Sequence, residues 1–140
     1  MTSFYPEEMT NPMRTYLSNI GVKELKNHKE VEKVFSENEG TTFLIINSVC
    51  GCAAANARPG IKLAIQNEKL PKNIVTVFAG VDNEATQKAR EYIKDYEPSS
   101  PFFGLFKDGK LIFVNQRKDL VYKSPEQISN ELKNVFNKHC

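Results

Sequence analysis

Apolar and polar positions recur along this chain with two different periods, and the points where the period changes mark out its elements. Met13, Tyr16, Leu17 and Ile20 stand at i, i+3, i+4 and i+7, the spacing that gathers side chains on one face of a helix. Asn11 and Pro12 occupy the expected cap and first helical positions, and Gly21 is a stop signal. Residues 1–10 before them read as an aromatic and acidic arm without periodicity. Val22 to Leu25 is a short candidate edge strand. Asn27 followed by Glu30 is a variant of the capping box, and Val31, Val34 and Phe35 form the buried face of the next helix. Thr41 to Ser48 is almost continuously apolar through Ile46, as suits a central strand covered on both faces.

Ala53, Ala54, Ala55 and Ala57 then favour a helix that lies close to the sheet, and Pro59 is expected to kink it. Ile61, Leu63, Ala64 and Ile65 carry its apolar surface onward. Ile74 to Val81 is a second buried strand, and Asn83 is placed to cap a helix with Ala85, Ala89, Tyr92, Ile93 and Tyr96 on its inner face. Glu97 to Pro101 breaks the pattern. Phe102 to Phe106 and Leu111 to Val114 flank Asp108-Gly109, a strong hairpin signal. Ser124 and Pro125 open a last helix with Ile128, Leu132, Val135 and Phe136 inside. The order is helix–strand–helix–strand–helix–strand–helix–hairpin–helix. It predicts an α/β fold whose first half is parallel with right-handed crossovers and whose second half is antiparallel.

Composition adds limits rather than chemistry. At 140 residues, 40% hydrophobic and 26% charged, the chain suits one domain over 1–140 with a single sizeable core. Its 19 basic and 17 acidic residues give a net charge of +2, so neither nucleic acid nor an anionic membrane is expected as a partner. No signal peptide pattern and no run of about 20 apolar residues is visible, which makes the cytoplasm the expected location. Stable disulfides are rare there, and a close cysteine pair is more often catalytic or redox-sensing.

Such a pair follows the first buried strand. Cys50 and Cys52 are separated only by Gly51, at the point where the strand should end and a helix begin. Helix N-termini carry unpaired N–H groups and partial positive charge, which favour a thiolate. Arg58 is the only charged or histidine side chain between Gly40 and Gly60, so no acidic neighbour in sequence opposes ionisation. Gly51 is expected to lend the backbone freedom that a bridge across one residue needs. A Cys50–Cys52 disulfide is expected to close only with distortion, and therefore to be labile rather than structural. Redox exchange is the favoured reading, with metal or iron–sulfur handling and inert thiols as alternatives. Metal is disfavoured because the chain has only three Cys and two His, and a closed site would need His139 and Cys140 from the far end.

The element order, with thiols at the turn into a proline-bearing helix, resembles a thioredoxin fold with an extra N-terminal helix and a mixed sheet flanked by helices. The resemblance implies a cis proline at Pro101, preceded by Ser100, facing the thiols and offering strand-like hydrogen bonds to a substrate. The stretch Asn47 to Gly60, together with Ser99-Ser100-Pro101-Phe102-Phe103, further resembles the bacilliredoxin family. That family resemblance implies removal of bacillithiol from mixed disulfides on proteins, with Cys50 attacking, Cys52 resolving, and Gly51, Ser100 and Pro101 contacting substrate. Disulfide isomerase activity by the same pair is the alternative, and a non-catalytic redox-sensing domain is a rival from another class. No tightly bound cofactor is implied. Bacillithiol is the co-substrate, modified proteins are the partners, and a reductase that recycles bacillithiol disulfide is implied beside them.

The chain departs from ordinary thioredoxins in having one residue between the cysteines, no Trp, and no acid on the central strand. Asn47 is polar but is no general base. These differences predict a poorer general reductant and a better acceptor of a small thiol. Arg58 is expected on the solvent face or in a structural pair, with binding of a small-thiol carboxylate or support of Cys50 as alternatives. Cys140 is expected to be a passive tail thiol and His28 to be solvated. Phe4 and Tyr5 are expected to cover the core.

Overall fold

Five strands form one mixed sheet in the order β1-β3-β2-β4-β5. The computed structural model describes residues 5–37 and 39–140. The strands are β1 (Lys23–Glu24), β2 (Thr41–Asn47), β3 (Asn73–Phe78), β4 (Phe102–Lys107) and β5 (Lys110–Asn115). The α-helices are α1 (Glu7–Ser18), α2 (His28–Ser36), α3 (Arg58–Ala64), α4 (Asn83–Arg90), α5 (Arg117–Leu120) and α6 (Pro125–His139). A π-helical segment, Ala53–Ala57, runs directly into α3. β2 is parallel to β3, and β3 to β1; β4 is antiparallel to both β2 and β5.

Every residue of β2 is buried, which explains why its sequence is continuously apolar instead of alternating. Its side chains feed two cores. Phe43 and Ile45 point to one cluster with Leu17 of α1, Ile61 of α3 and Ile128, Leu132 and Phe136 of α6. Leu44 and Ile46 point to the other, with Val31 of α2 and Ala85 and Ala89 of α4. Phe43 meets Phe103 and Phe136 edge-on, at ring separations of 5.6 and 5.3 Å, the arrangement favoured by ring quadrupoles. Both ends of the hairpin behave as its sequence suggests. Asp108 and Gly109 take positive φ values of 49° and 83°, and the Asp108 carboxylate accepts a hydrogen bond from the Gly40 N–H at 2.8 Å.

Four sequence expectations need revision. Helix α1 begins at Glu7, so residues 7–10 belong to the helix and Pro12 lies inside it. Pro6 provides an extended residue ahead of the first turn, and Glu7 and Glu8 favour that turn through the helix dipole. Asn11 is therefore not the cap. At α4, Asp82 rather than Asn83 precedes the helix, and its carboxylate is not spent on capping. It receives a bidentate pair of hydrogen bonds from Arg14 of α1 at 2.6 and 2.7 Å. At the thiol helix, Pro59 does not act as an isolated kink. The chain widens into π-helix beforehand, with the Arg58 N–H donating to the Ala53 carbonyl. That places Pro59 near the start of α3, where a missing N–H is tolerated. Finally, α5 was not expected at all. It is one turn long, closed by reciprocal Gln116–Asp119 capping.

Caps elsewhere follow the sequence. Asn27 accepts from the Glu30 N–H at 2.9 Å, and the Ser124 hydroxyl accepts from the Gln127 N–H at 3.1 Å. Tyr5 lies beside Gly80 and is partly exposed; Phe4 lies outside the described residues. Among the described residues no helix is long and apolar enough to cross a membrane.

Helices α3 and α6 approach closely because of one glycine. A Cβ on Gly60 would stand 2.6 Å from Ile128 Cγ2 and 2.8 Å from its Cβ, and a branch point so near the backbone has little room to move. Gly60→Ala is expected to lower stability by roughly 1–3 kcal/mol through overpacking, measured as a fall in the urea midpoint at unchanged m-value. A stability equal to wild type would mean that the two helices separate at no cost.

Candidate active site

The end of β2 delivers the cysteines. After Asn47 the chain leaves the sheet, and Gly51 and Cys52 are already helical. The Cys50 carbonyl accepts from the Ala53 N–H at 3.1 Å, so Cys50 stands at the cap of the helix and Cys52 in its first turn. Cys50 and Cys52 are joined as a disulfide with a Cα separation of 5.5 Å. Helical geometry itself puts residues two apart at about 5.4 Å, inside the normal range for a disulfide. The helix itself therefore supplies the Cα spacing that a bridge across one residue needs.

Gly51 serves differently from expectation. It has no positive φ, and a Cβ built on it would meet nothing within 4 Å. Its missing side chain faces open space and does not relieve the backbone. In this oxidised form Cys50 and Cys52 are both half-buried. Cys50 rests against the core cluster that contains Ala53, Phe103 and Leu120.

The loop before the thiols is held from behind by Arg58. Of its two expected placements, Arg58 takes the structural one and not the solvent face: it is 5% exposed. Its Nη1 donates to Asn47 Oδ1 and to the Ser48 carbonyl, both at 2.9 Å. Asn47 Oδ1 also accepts from the Ser48 N–H at 2.9 Å, while its Nδ2 donates to the Met13 carbonyl at 3.3 Å. The Ser48 hydroxyl in turn accepts from the Cys50 N–H at 3.2 Å. No carboxylate pairs with Arg58 among the described residues. Burial pushes its pKa down, with a small opposing influence from Tyr16; an arginine nonetheless stays protonated. A buried cation without an anion thus sits one hydrogen-bonded loop away from Cys50. Sequence reading missed this arrangement, although a lone arginine in a charge-free stretch following Asn47-Ser48 was the available signal.

The Ser100–Pro101 peptide bond is cis. Ile46 pairs with Phe102, so the same register carries Pro101 to the level of Asn47, at the sheet end where the thiols emerge. Sequence therefore named residues from two separate segments that the fold brings to one end of the sheet. Cys140 is exposed and far along the chain at the end of α6. His28 is exposed and lies 3.0 Å from the Glu32 carboxylate. Among the described residues no three His, Cys, Asp or Glu side chains gather as a metal-binding group.

A disulfide at a helix N-terminus, beside a cis proline on a mixed five-stranded sheet, defines a thioredoxin-fold thiol–disulfide oxidoreductase. Solved structures agree on the fold. Fasciola hepatica thioredoxin superimposes with a TM-score of 0.55 at 16% identity, over 85% of this chain and 100% of that one. The oxidised form of mitochondrial thioredoxin 3 from Saccharomyces cerevisiae gives 0.54 at 17%, over 89% and 98%. Sequence relatives are nearer. A bacilliredoxin of Cytophaga hutchinsonii is 46% identical over 132 residues, 94% of this chain and 97% of that protein. One from Geobacillus kaustophilus is 43% identical over 137 residues, 97% and 94%. A family model described as disulphide isomerase matches residues 5–140. The chain belongs to the bacilliredoxin family.

Two substitutions separate the roles of this frame. Arg58→Met keeps the stem and removes the donors, and is expected to cost roughly 1–3 kcal/mol by leaving the Ser48 carbonyl unsatisfied, read from denaturant unfolding of the oxidised protein. Gly51→Ala meets no atom and improves helix propensity, so its stability should stay within about 1 kcal/mol of wild type. A large loss at Gly51, or none at Arg58, contradicts this assignment of roles.

Proposed function

We propose that this protein removes bacillithiol from mixed disulfides on proteins, in the reducing interior of the cell. The observation that carries the reading is the paired Cys50 and Cys52 at a helix N-terminus beside cis-Pro101, in a chain 42–46% identical to proteins named bacilliredoxins. In the reduced protein, Cys50 as a thiolate attacks the bacillithiol sulfur of the modified protein. The sulfur–sulfur bond breaks, the target leaves as a thiolate and takes a proton from water, and Cys50 now carries bacillithiol. Cys52 then attacks Cys50 Sγ, releases bacillithiol as a thiol, and closes the disulfide. Alternatively, a second bacillithiol thiolate attacks the carried bacillithiol sulfur, freeing Cys50 and forming bacillithiol disulfide. Either route needs an external reductant, a thiol for the enzyme disulfide or a reductase for bacillithiol disulfide.

The surroundings favour a thiolate at residue 50. The helix N-terminus offers partial positive charge, and Arg58 offers a buried full charge that lacks a carboxylate partner. No acid stands on β2 to take a proton from the resolving thiol, and Asn47 is committed to Arg58, Ser48 and Met13. Release of a small, acidic thiol is then easier than reduction of a stable protein disulfide. The description of the matching family model supports a second reading, disulfide isomerisation by attack of Cys50 on a protein disulfide.

Turnover on one target protein modified either with bacillithiol or with glutathione tests the proposal. Wild type is expected to release bacillithiol faster than free bacillithiol does, and faster than it releases glutathione. Intact-mass spectrometry should find bacillithiol accumulating on Cys50 in Cys52→Ala, with no adduct in Cys50→Ala. A wild-type rate no greater than that of free bacillithiol would sink the enzymatic reading, and an adduct on Cys52 would reverse the roles.

A further inference from the structure

One cavity lies at the same end of the sheet as the thiols and is not accounted for by the exchange chemistry. It has a volume of about 440 Å³ and is formed where the cis-proline loop meets the connection from β5 through α5. That size falls within the ~300–1,000 Å³ of small-molecule sites. Glu97, Pro98 and Ser99 form one wall; Arg117, Lys118 and Tyr122 are on the other. The sheet register explains why the two walls meet. Phe103 pairs with Asn115, so the residues before β4 and those after β5 leave the sheet side by side at the thiol end. The α5 turn is also tied to the thiol helix. Asn56, one turn beyond Cys52, donates from Nδ2 to the Leu120 carbonyl at 3.4 Å, and Leu120 shares a buried cluster with Cys50 and Ala53.

The lining has unmet bonding capacity. The Ser99 hydroxyl oxygen is buried without a hydrogen-bond partner among the described residues, a rare state in a folded protein. Arg117 and Lys118 are exposed, and neither is paired with a carboxylate there. Tyr122 is 88% exposed, while the other exposed large apolar side chains lie between 36% and 43%. An aromatic ring and a proline with two cations and one carboxylate, Glu97, suit a small polar molecule of net negative charge. They suit an apolar peptide side chain poorly.

We infer that this cavity binds the low-molecular-weight half of the mixed disulfide, a carboxylate-bearing and hydroxyl-rich thiol. The inference rests on the proposed reading that such a thiol is the group removed. Arg117 and Lys118 receive its carboxylates, and Tyr122 and Pro98 cover its carbon skeleton. Glu97 faces an ammonium such as a cysteinyl thiol carries. The protein half of the substrate is then left to the backbone beside Ser100 and Pro101. The cavity thereby selects which small thiol is taken, and the cysteines do the exchange.

The test uses one short cysteine peptide, linked by a disulfide either to bacillithiol or to uncharged 2-mercaptoethanol. In the double variant Arg117→Gln/Lys118→Gln, KM for the bacillithiol peptide is expected to rise about tenfold, since two exposed charge contacts are each worth a few-fold. The value of kcat should hold, and kinetics with the mercaptoethanol peptide should not change. Tyr122→Ser should act in the same direction. Equal effects on both peptides, or no effect on either, overturn the inference. A second arm needs no turnover: S-methyl bacillithiol, which is inert to exchange, is titrated into oxidised wild type. Amide resonances of Ser99, Arg117, Lys118 and Tyr122 are expected to shift. Shifts confined to other residues, or shifts produced instead by the S-methylated peptide, overturn it. Shifts at the cavity from a wild type that cleaves the bacillithiol peptide no faster than free bacillithiol does would leave the subsite standing and remove the proposed function. Equal wild-type KM values for the two disulfide peptides would instead overturn the subsite's selectivity.

Discussion

A guanidinium in the interior must have its charge and its donors satisfied, and that requirement shapes the active end of this molecule. Arg58 lies behind the thiol loop with Nη1 bound to Asn47 Oδ1 and the Ser48 carbonyl. Those contacts hold the chain at the point where it leaves β2. From there the Ser48 hydroxyl meets the Cys50 N–H, and the Cys50 carbonyl starts the helix. Asn47 ties the same loop to α1 through the Met13 carbonyl. One buried cation thus links the last residue of the central strand, the N-terminal helix and the cap position of the thiol helix. Removing a partner from such a network leaves desolvated groups unpaired, which costs more than the bonds themselves appear to contribute. A thiolate formed at Cys50 adds negative charge to a neighbourhood whose fixed charge is positive.

The remainder of the fold brings distant segments to this place. Two cores lock β2 from both faces, so its end cannot slide without moving Phe43 and Ile45 or Leu44 and Ile46 out of register. The π-helical turn lets the chain accept Pro59 while keeping Arg58 turned toward the loop. Gly60 lets α6 press against α3, and α6 presents Ile128, Leu132 and Phe136 to the same core that supports Cys50. On the other side of the thiols, antiparallel β4 and β5 deliver the cis-proline loop and the α5 turn together. The cleft between those two segments is a consequence of strand register.

Local patterns made much of this legible. The buried β2 run, the Asp108-Gly109 turn, the Asn27 and Ser124 caps and the strand-to-helix position of the cysteines all rest on interactions within a few residues. Capping and turn formation are decided over such distances, and hydrophobic period reports which faces are covered. Where the structure differs from these patterns, either a long-range partner intervenes or two local signals compete. The sequence names Asn83 as the cap of α4, whereas Asp82 holds that position and its carboxylate is engaged by Arg14, 68 positions away. The start of α1 was misplaced because Pro12 at a nominal first position competed with a first turn carrying Glu7 and Glu8. For Arg58 the sequence leaves the solvent face and a structural pairing both open, because surface arginine is the commoner state. Its partners Asn47 and Ser48 lie only 10 or 11 positions back, and it is the packing of the thiol helix that turns the side chain onto them.

By itself the sequence determined the order of the strands and of every helix but α5, the two buried strands, and a thiol pair joined by one glycine at the head of a helix, because these depend on spacing along the chain. Only the tertiary structure decided that Arg58 is buried against Asn47 and Ser48, that the helix widens ahead of Pro59, and that Ser99 and Tyr122 border one cavity. The first two depend on how the thiol helix packs against the end of β2, and the third on which segments the sheet makes neighbours. Pairing register and helix packing set that neighbourhood, and neither is written in any single stretch of the chain.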